Sequence, residues 1–417
     1  MRRNASEPRA GHYTSFAALV TVAGFSLGYS SIGFGLLFLG ALWSAVKNRR
    51  IPWARTPLDV PLAVFGAVLL VSAAASPYPR LAAGVTLMLL ISGAVYFGAF
   101  AWLLAAVPGT RDRLLRGWAA GAVLAAITGL MYRALAHRFA AQDLLQGRAE
   151  IPRGVGPNGL GTTLMLGGIL SAGLALRAER GERLLWAGAG VLCLAGLLAS
   201  GSRASLAGWI AGVAYVVWRE LRARPAQMAA IAGAALLLLV GAAAATPQFA
   251  GRLGHTVSDV NGNRVRIWHT SLEMIADRPL LGTGFGTFER AYDRRRAQGA
   301  SPEPFAFNLW LNLAVETGLV GLAAALWVAV AAVRGWRHRP GAADPPGAAE
   351  MGPAIVALWI GLLVDQLADN TLFSISTSAG LWLLLALVTV VPPAGVGRGA
   401  GAADSAGAEP APAASAV

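Results

Sequence analysis

Apolar residues along this chain fall in long unbroken blocks, and arginine-bearing gaps separate one block from the next. A helix that crosses a bilayer needs about 20 consecutive, largely apolar residues. Blocks of that kind predict an all-α, polytopic helical membrane protein. They place spans near 13–29, 30–46, 59–76, 82–107, 116–134, 157–176, 184–200, 204–218, 226–246, 305–333, 352–370 and 374–392, about twelve in all. Residues 1–12 read as a cytoplasmic N-terminal segment and 13–393 as the transmembrane domain, with a long outer loop at 247–304 between the ninth and tenth spans. The stretch 339–352 reads as a cytoplasmic linker, and the Gly/Ala/Pro/Ser-rich stretch 394–417 as a disordered cytoplasmic tail. The polar lead MRRNASEPRAGHYTS is long, and no small-residue cleavage site follows the first apolar block, so the first helix is expected to stay in place. Neither a repeat of fixed period nor an inverted repeat is visible.

Composition sharpens this picture. Of 417 residues 56% are hydrophobic and 13% charged, about half the charge of an ordinary soluble domain, which excludes a soluble enzyme. The net charge of +13 comes from 34 basic residues, of which Lys47 is the only lysine. With the N-terminus inside, 20 of them fall in inside segments, six in short outside segments and eight in the loop 247–304. Basic residues in short loops set orientation, whereas long loops count for little, so the pattern predicts both termini inside. The basic balance is thereby explained by membrane topology, and nucleic acid is not an expected partner. Cys193 is the only cysteine and lies in an apolar run, which leaves no disulfide and no thiolate metal cage. Five scattered histidines have no metal-ligand spacing.

The informative polar residues gather on the predicted outer side. Arg203 follows Ser202 in ASGSRASLAGW, between two apolar runs. A charge so close to hydrocarbon is expensive unless it faces water or an anion; it reads either as an arginine snorkelling to headgroups or as part of an anion site among small residues with accessible backbone N–H groups. In the long loop, GNRVRIWHTSLEMIADRPLLGTGFGTFERAY (262–292) has helical spacing over Ile267–Ala276, then Pro279 and glycines 282, 284 and 286. No strand precedes that glycine run, so it predicts a tight turn and not a dinucleotide site. Asn308, Asn312 and Glu316 recur at every fourth position on the tenth span, where polar residues either bond to neighbouring helices or line a cavity. Asp365 and Asp369, also four apart, lie near the outer end of the eleventh. Together these point to an outer cavity with arginines for a phosphorylated ligand and carboxylates or amides for a sugar. Arginine suits pyrophosphate through its planar fork, and a pyrophosphate leaving group asks only for charge neutralisation and an aligned acceptor hydroxyl.

Four stretches carry a resemblance: GVGPNGLGTTL (154–164), SGSRASLAGW (200–209), NRVRIWHTSLEMIADRPLLGTGFGTF (263–288) and FNLWLNLAVETGLVGL (307–322). In this order, and with the long outer loop, the chain resembles the O-antigen ligase/polymerase family of bacterial membrane glycosyltransferases, which includes lipopolysaccharide ligases and Wzy-type polymerases. The resemblance implies a cofactor-free, metal-independent transfer of a glycan from undecaprenyl pyrophosphate to an acceptor hydroxyl at the periplasmic face of the inner membrane. It makes Arg203 and Arg264 the holders of the lipid pyrophosphate. Ser202, Arg266, Asn158, Asn312, Glu316, Asp365 and Asp369 are expected to line the substrate site, with Asn308 and Glu303 beside the reacting groups. The family usually carries His-Asn before the tenth span, but here the pair is Phe307–Asn308. Phe307 accepts no proton, which leaves Glu303, the loop histidines His255 and His269, or positioning alone to serve the acceptor. Ligase and polymerase both stay open on the residues. A transporter, the alternative from another class, would place ionisable groups near the bilayer midplane and show related halves.

Overall fold

The computed structural model describes residues 16–22, 30–48, 54–107, 109–138, 156–230, 233, 264–296, 302–337, 351–370 and 375–390. Among them every regular element is helical: α1 (Ser30–Asn48), α2 (Asp59–Ala74), α3 (Pro79–Ala106), α4 (Thr110–Arg138), α5 (Pro157–Arg177), α6 (Arg180–Ser200), α7 (Arg203–Leu221), α8 (Val265–Asp277), α9 (Phe288–Arg295), α10 (Leu309–Arg337), α11 (Gly352–Asp365) and α12 (Ile375–Thr389). Five of these, α3, α4, α5, α6 and α10, are long and apolar enough to cross a membrane. The shortest of the five have 21 residues, about 31 Å at the helical rise and so a match for a hydrocarbon core of about 30 Å. Most of the predicted ninth span, the linker, the tail, His255 and much of the outer loop lie outside the described residues.

Proline at the first turn starts α3, α5 and α11, where its missing N–H would have had no helical partner anyway. Gly201, in the left-handed conformation, ends α6, and Ser202 caps α7. The large side chains Leu87, Met88 and Ile91 on α3 and Val330 and Val333 on α10 are exposed, as lipid-facing surface requires. Inside, α5 is the central helix, with residues 160–171 buried without a gap. It packs against α4, α6, α7 and α11, while α3 and α10 pack with α2 and α12; contacts of α12 with α11 and α5 join the two groups. Small residues let the backbones meet: a Cβ on Gly208 of α7 would sit 2.4 Å from the Gly361 carbonyl oxygen of α11.

One break in this regular packing shapes the functional end. Helix α10 is interrupted at Gly318, with φ 68° and ψ −175°. The loop after α8 satisfies the backbone groups that the break releases. Thr283 and Gly284 donate to the carbonyls of Val315 and Glu316 at 3.0 and 2.7 Å, and Leu319 and Val320 donate to those of Pro279 and Leu280 at 2.8 and 3.3 Å. From α2, Ser72 donates to the Leu281 carbonyl at 2.7 Å. Non-helical backbone at such a place is tolerated because the docked loop supplies the hydrogen-bond partners the helix gives up. The amphipathic α8 lies over this junction, and a second small core of Ile267, Met274, Phe288, Tyr292, Ala306 and Val315 holds α8, α9 and the start of α10 together.

Candidate functional site

Three helix ends meet at the buried carboxylate of Asp365. Its Oδ1 accepts from the Ser205 hydroxyl at 2.8 Å, and its Oδ2 from Thr162 at 2.9 Å and Gln366 at 2.7 Å. Ser205 in turn shares a 2.9 Å hydrogen bond with the Ser202 hydroxyl, the N-cap of α7. The first turns of α5 and α7 are thus tied to the last residue of α11, and the tie sets where Arg203 begins its helix. Asp365 is fully buried with these three donors on it. Replacing it with alanine leaves those donors without their acceptor and is expected to destabilise the protein by about 3 kcal/mol. Thermal unfolding in detergent reads this out, with Asp365→Asn as the milder comparison.

Arg264 precedes the first turn of α8. Its Nη1 donates to the Ala368 carbonyl at 2.8 Å, just beyond α11, and its guanidinium lies over the ring of Phe307, 5.1 Å from the centroid. The guanidinium is held below the ordinary arginine range chiefly by burial; Asp369 opposes that lowering, the charge of Arg203 adds to it, and Glu303 again opposes it. Arg203, Glu303 and Asp369 therefore each act on Arg264, although α7, the segment before α10, the end of α11 and α8 carry them separately. Arg203 is exposed and Asp369 buried.

The segment leading into α10 is pinned on both sides of Phe307. Trp268 donates to the Ala306 carbonyl at 2.9 Å, the Ala306 N–H donates to Asn312 Oδ1 at 3.0 Å, and the Leu309 N–H donates to the Gln366 carbonyl at 3.0 Å. Asn308 caps the helix by accepting from Leu311 N–H at 3.0 Å, and its amide donates to the Leu367 carbonyl at 3.0 Å. Phe307 itself has φ 50°, the one non-glycine among the described residues with positive φ. Left-handed backbone on such a side chain costs about 1–3 kcal/mol and persists only where its surroundings over-determine it.

The sequence-derived candidates therefore separate into groups. Arg203, Arg264, Glu303, Asp369 and Asn308 come together at one end of the bundle, with Ser202 directly beside Arg203. Asn158 lies in the first turn of α5, its carbonyl accepting from Thr162 at 3.3 Å. Glu316 and Asn312 are buried deeper: the Glu316 carboxylate accepts the Phe288 N–H at 3.0 Å and also bonds to the backbone of Gly286 and Thr287 and to Asn312. These two hold the loop before α9 against α10, the bonding alternative raised for them from sequence. Arg266 is exposed on α8, and His269 pairs with Glu273 at 3.1 Å. Tyr292, stacked on Phe288 with ring centroids 5.6 Å apart in the small core beside the cluster, does not stand out in sequence, where it is only an aromatic on an amphipathic helix. Its hydroxyl is raised above the ordinary tyrosine range by burial and then by Glu303, while Arg296 and Arg266 oppose this, which puts it in the same electrostatic neighbourhood. No group of three potential metal ligands occurs among the described residues.

Beside this cluster, Leu309 and Gln366 form part of the wall of an apolar cavity of about 110 Å³ between α2, α10, α11 and α12. Leu313, Ala325 and Ala329 of α10 and Trp359 and Trp382 of the facing helices also line it.

Each of the four sequence stretches that carry the resemblance contributes to this end of the molecule, through Thr162, Arg203, Arg264 and Phe307. Comparison with known proteins gave no match among curated ones. Residues 188–326, a third of the chain that contains three of the four stretches, match the family model described as O-Antigen ligase, and this match supports the resemblance to the O-antigen ligase/Wzy-type family.

Proposed function

We propose that this chain is a multi-pass glycosyltransferase of the bacterial inner membrane that passes a glycan from undecaprenyl pyrophosphate to an acceptor hydroxyl at the periplasmic face. The observation that carries this reading is Arg264, half-buried at the end of a helical bundle and tied by one edge to the Ala368 carbonyl at 2.8 Å, with the charge of Arg203 acting on it. Two arginines acting at one end of the bundle, one exposed and one half-buried, suit an anion that both can meet. In the reaction the acceptor oxygen attacks the anomeric carbon of the donor sugar, the bond from that carbon to the pyrophosphate oxygen breaks, and lipid pyrophosphate leaves with its electron pair. Both arginines neutralise the charge that grows on that leaving group, so no metal is required. The hydroxyl proton passes to water or to Glu303, the exposed-side carboxylate of the cluster. Asn308, Asn158, Ser202 and Arg266 border the sugar and acceptor, and Asp369 balances the arginine charge.

The apolar cavity bordered by Leu309 and Gln366 suits part of the polyprenyl tail, because its walls are hydrocarbon. Ala325→Phe or Ala329→Phe, which narrows the cavity from partly exposed positions, is expected to raise the KM for a long-chain polyprenyl donor at least about 10-fold. A donor with a single short isoprenoid should be unaffected, and equal effects on both would remove the cavity from the account.

Phe307, at the place where the resembled family carries histidine, favours a Wzy-type polymerase as the second reading, with another lipid-linked repeat as acceptor instead of lipid A-core. Deleting the gene and examining surface glycans separates the two. Single unpolymerised repeats on lipid A indicate a polymerase, free lipid-linked polymer indicates a ligase, and unchanged glycans contradict both.

A further inference from the structure

Three observations meet at Phe307. The Arg264 guanidinium carbon lies over its ring, 5.1 Å from the centroid. Phe307 packs edge-on against Phe305, with ring centroids 4.7 Å apart. Its backbone is held at φ 50° by hydrogen bonds on both neighbours, Ala306 and Asn308. A chain free to relax would not keep an aromatic residue in that conformation; glycine or asparagine would serve a simple turn there.

From this geometry we infer that Phe307 is a positioning residue for the donor site, an aromatic plate that fixes the plane of the Arg264 guanidinium. The inference rests on the arginine-clamp reading above. Arg264 is attached at one edge to the Ala368 carbonyl, and the ring blocks rotation out of that plane. The remaining N–H groups of the fork are then presented edge-on to an anion such as a pyrophosphate, the orientation a two-point charge-assisted contact needs. An aromatic face holds a guanidinium by its quadrupole as well as by its shape. An aliphatic side chain of similar bulk supplies only the shape. The chemistry asked of this position is thus to orient the cation that meets the leaving group, and the acceptor proton goes elsewhere.

The test uses the full-length protein, purified in detergent, with an undecaprenyl-pyrophosphate-linked glycan as donor. Phe307→Leu, Phe307→Met, Phe307→Tyr and Arg264→Ala are compared with the unaltered chain. Leu is expected to lower kcat/KM for the donor roughly 2- to 30-fold, the range a cation–π contact commands, with the KM for acceptor unchanged. Tyr should stay within about twofold of the unaltered chain by keeping the aromatic face. Met gives the same reading as Leu should the Leu variant fail to fold. Full donor efficiency in the aliphatic variants overturns the inference, as does an equal loss in Leu and Tyr, which would mark a packing role only. If Arg264→Ala itself keeps full activity, the clamp reading falls; if Arg264→Ala is inactive while Leu is unimpaired, only the role of Phe307 falls.

Discussion

Arg264→Ala is expected to lower glycan transfer by about 10²–10³-fold, the loss that follows removal of one pre-oriented donor to a developing negative charge. Arg203→Ala should fall in the same range. Both follow from the geometry: Arg264 is partly buried, tied by one edge to Ala368 and within the field of Arg203. Lysine at either place keeps the charge and loses the fork, so Arg264→Lys should lie between the alanine variant and the unaltered chain. Arg203 is exposed, so its substitution leaves the buried packing alone, and its loss of activity should come without loss of protein from the membrane. Transfer by membranes containing each variant, normalised to protein amount, checks the set. Transfer by both alanine variants at the unaltered rate would defeat the clamp.

The largest structural effect is expected at Gly318. A Cβ there would lie 2.1 Å from the Leu280 carbonyl oxygen, and the residue would have to keep φ 68°. Neither is available to alanine without displacing the loop 279–284, and with it four backbone hydrogen bonds between that loop and α10. Gly318→Ala is expected to destabilise the protein by about 4 kcal/mol or more, beyond the range of ordinary substitutions. Gly282→Ala, whose Cβ would meet the Val315 carbonyl oxygen at 2.5 Å, should act in the same direction. Thermal unfolding and the amount of folded protein extracted from membranes measure both. An unchanged unfolding temperature would mean that the break in α10 is not held as described.

Much of this was readable from the residues, for reasons that also mark where reading stops. The apolar blocks gave the helical class because hydrocarbon length sets helix length, and DRPLLGTGFG showed its turn because proline and closely spaced glycines leave few alternatives. Arg203 stood out because a charge between two apolar runs needs a reason. The break in α10 was hidden: AVETGLVG reads as continuous membrane helix, since glycine is common there. Only the docked loop makes the break affordable. Asp365 looked like a site carboxylate from its spacing to Asp369, but its partners Thr162 and Ser205 lie far away in sequence and no periodicity links them. Phe307 showed in sequence only what it cannot do. Its contact with Arg264 depends on a backbone conformation that nothing in its neighbours announces.

The most direct test of the central claim places the purified protein in liposomes with an undecaprenyl-pyrophosphate-linked glycan and a hydroxyl-bearing acceptor, with a chelator present. The account requires glycosylated acceptor and released undecaprenyl pyrophosphate in equal amounts, both lost in Arg203→Ala and Arg264→Ala. Movement of the glycan across the bilayer with its lipid linkage intact, or no released undecaprenyl pyrophosphate, would contradict it.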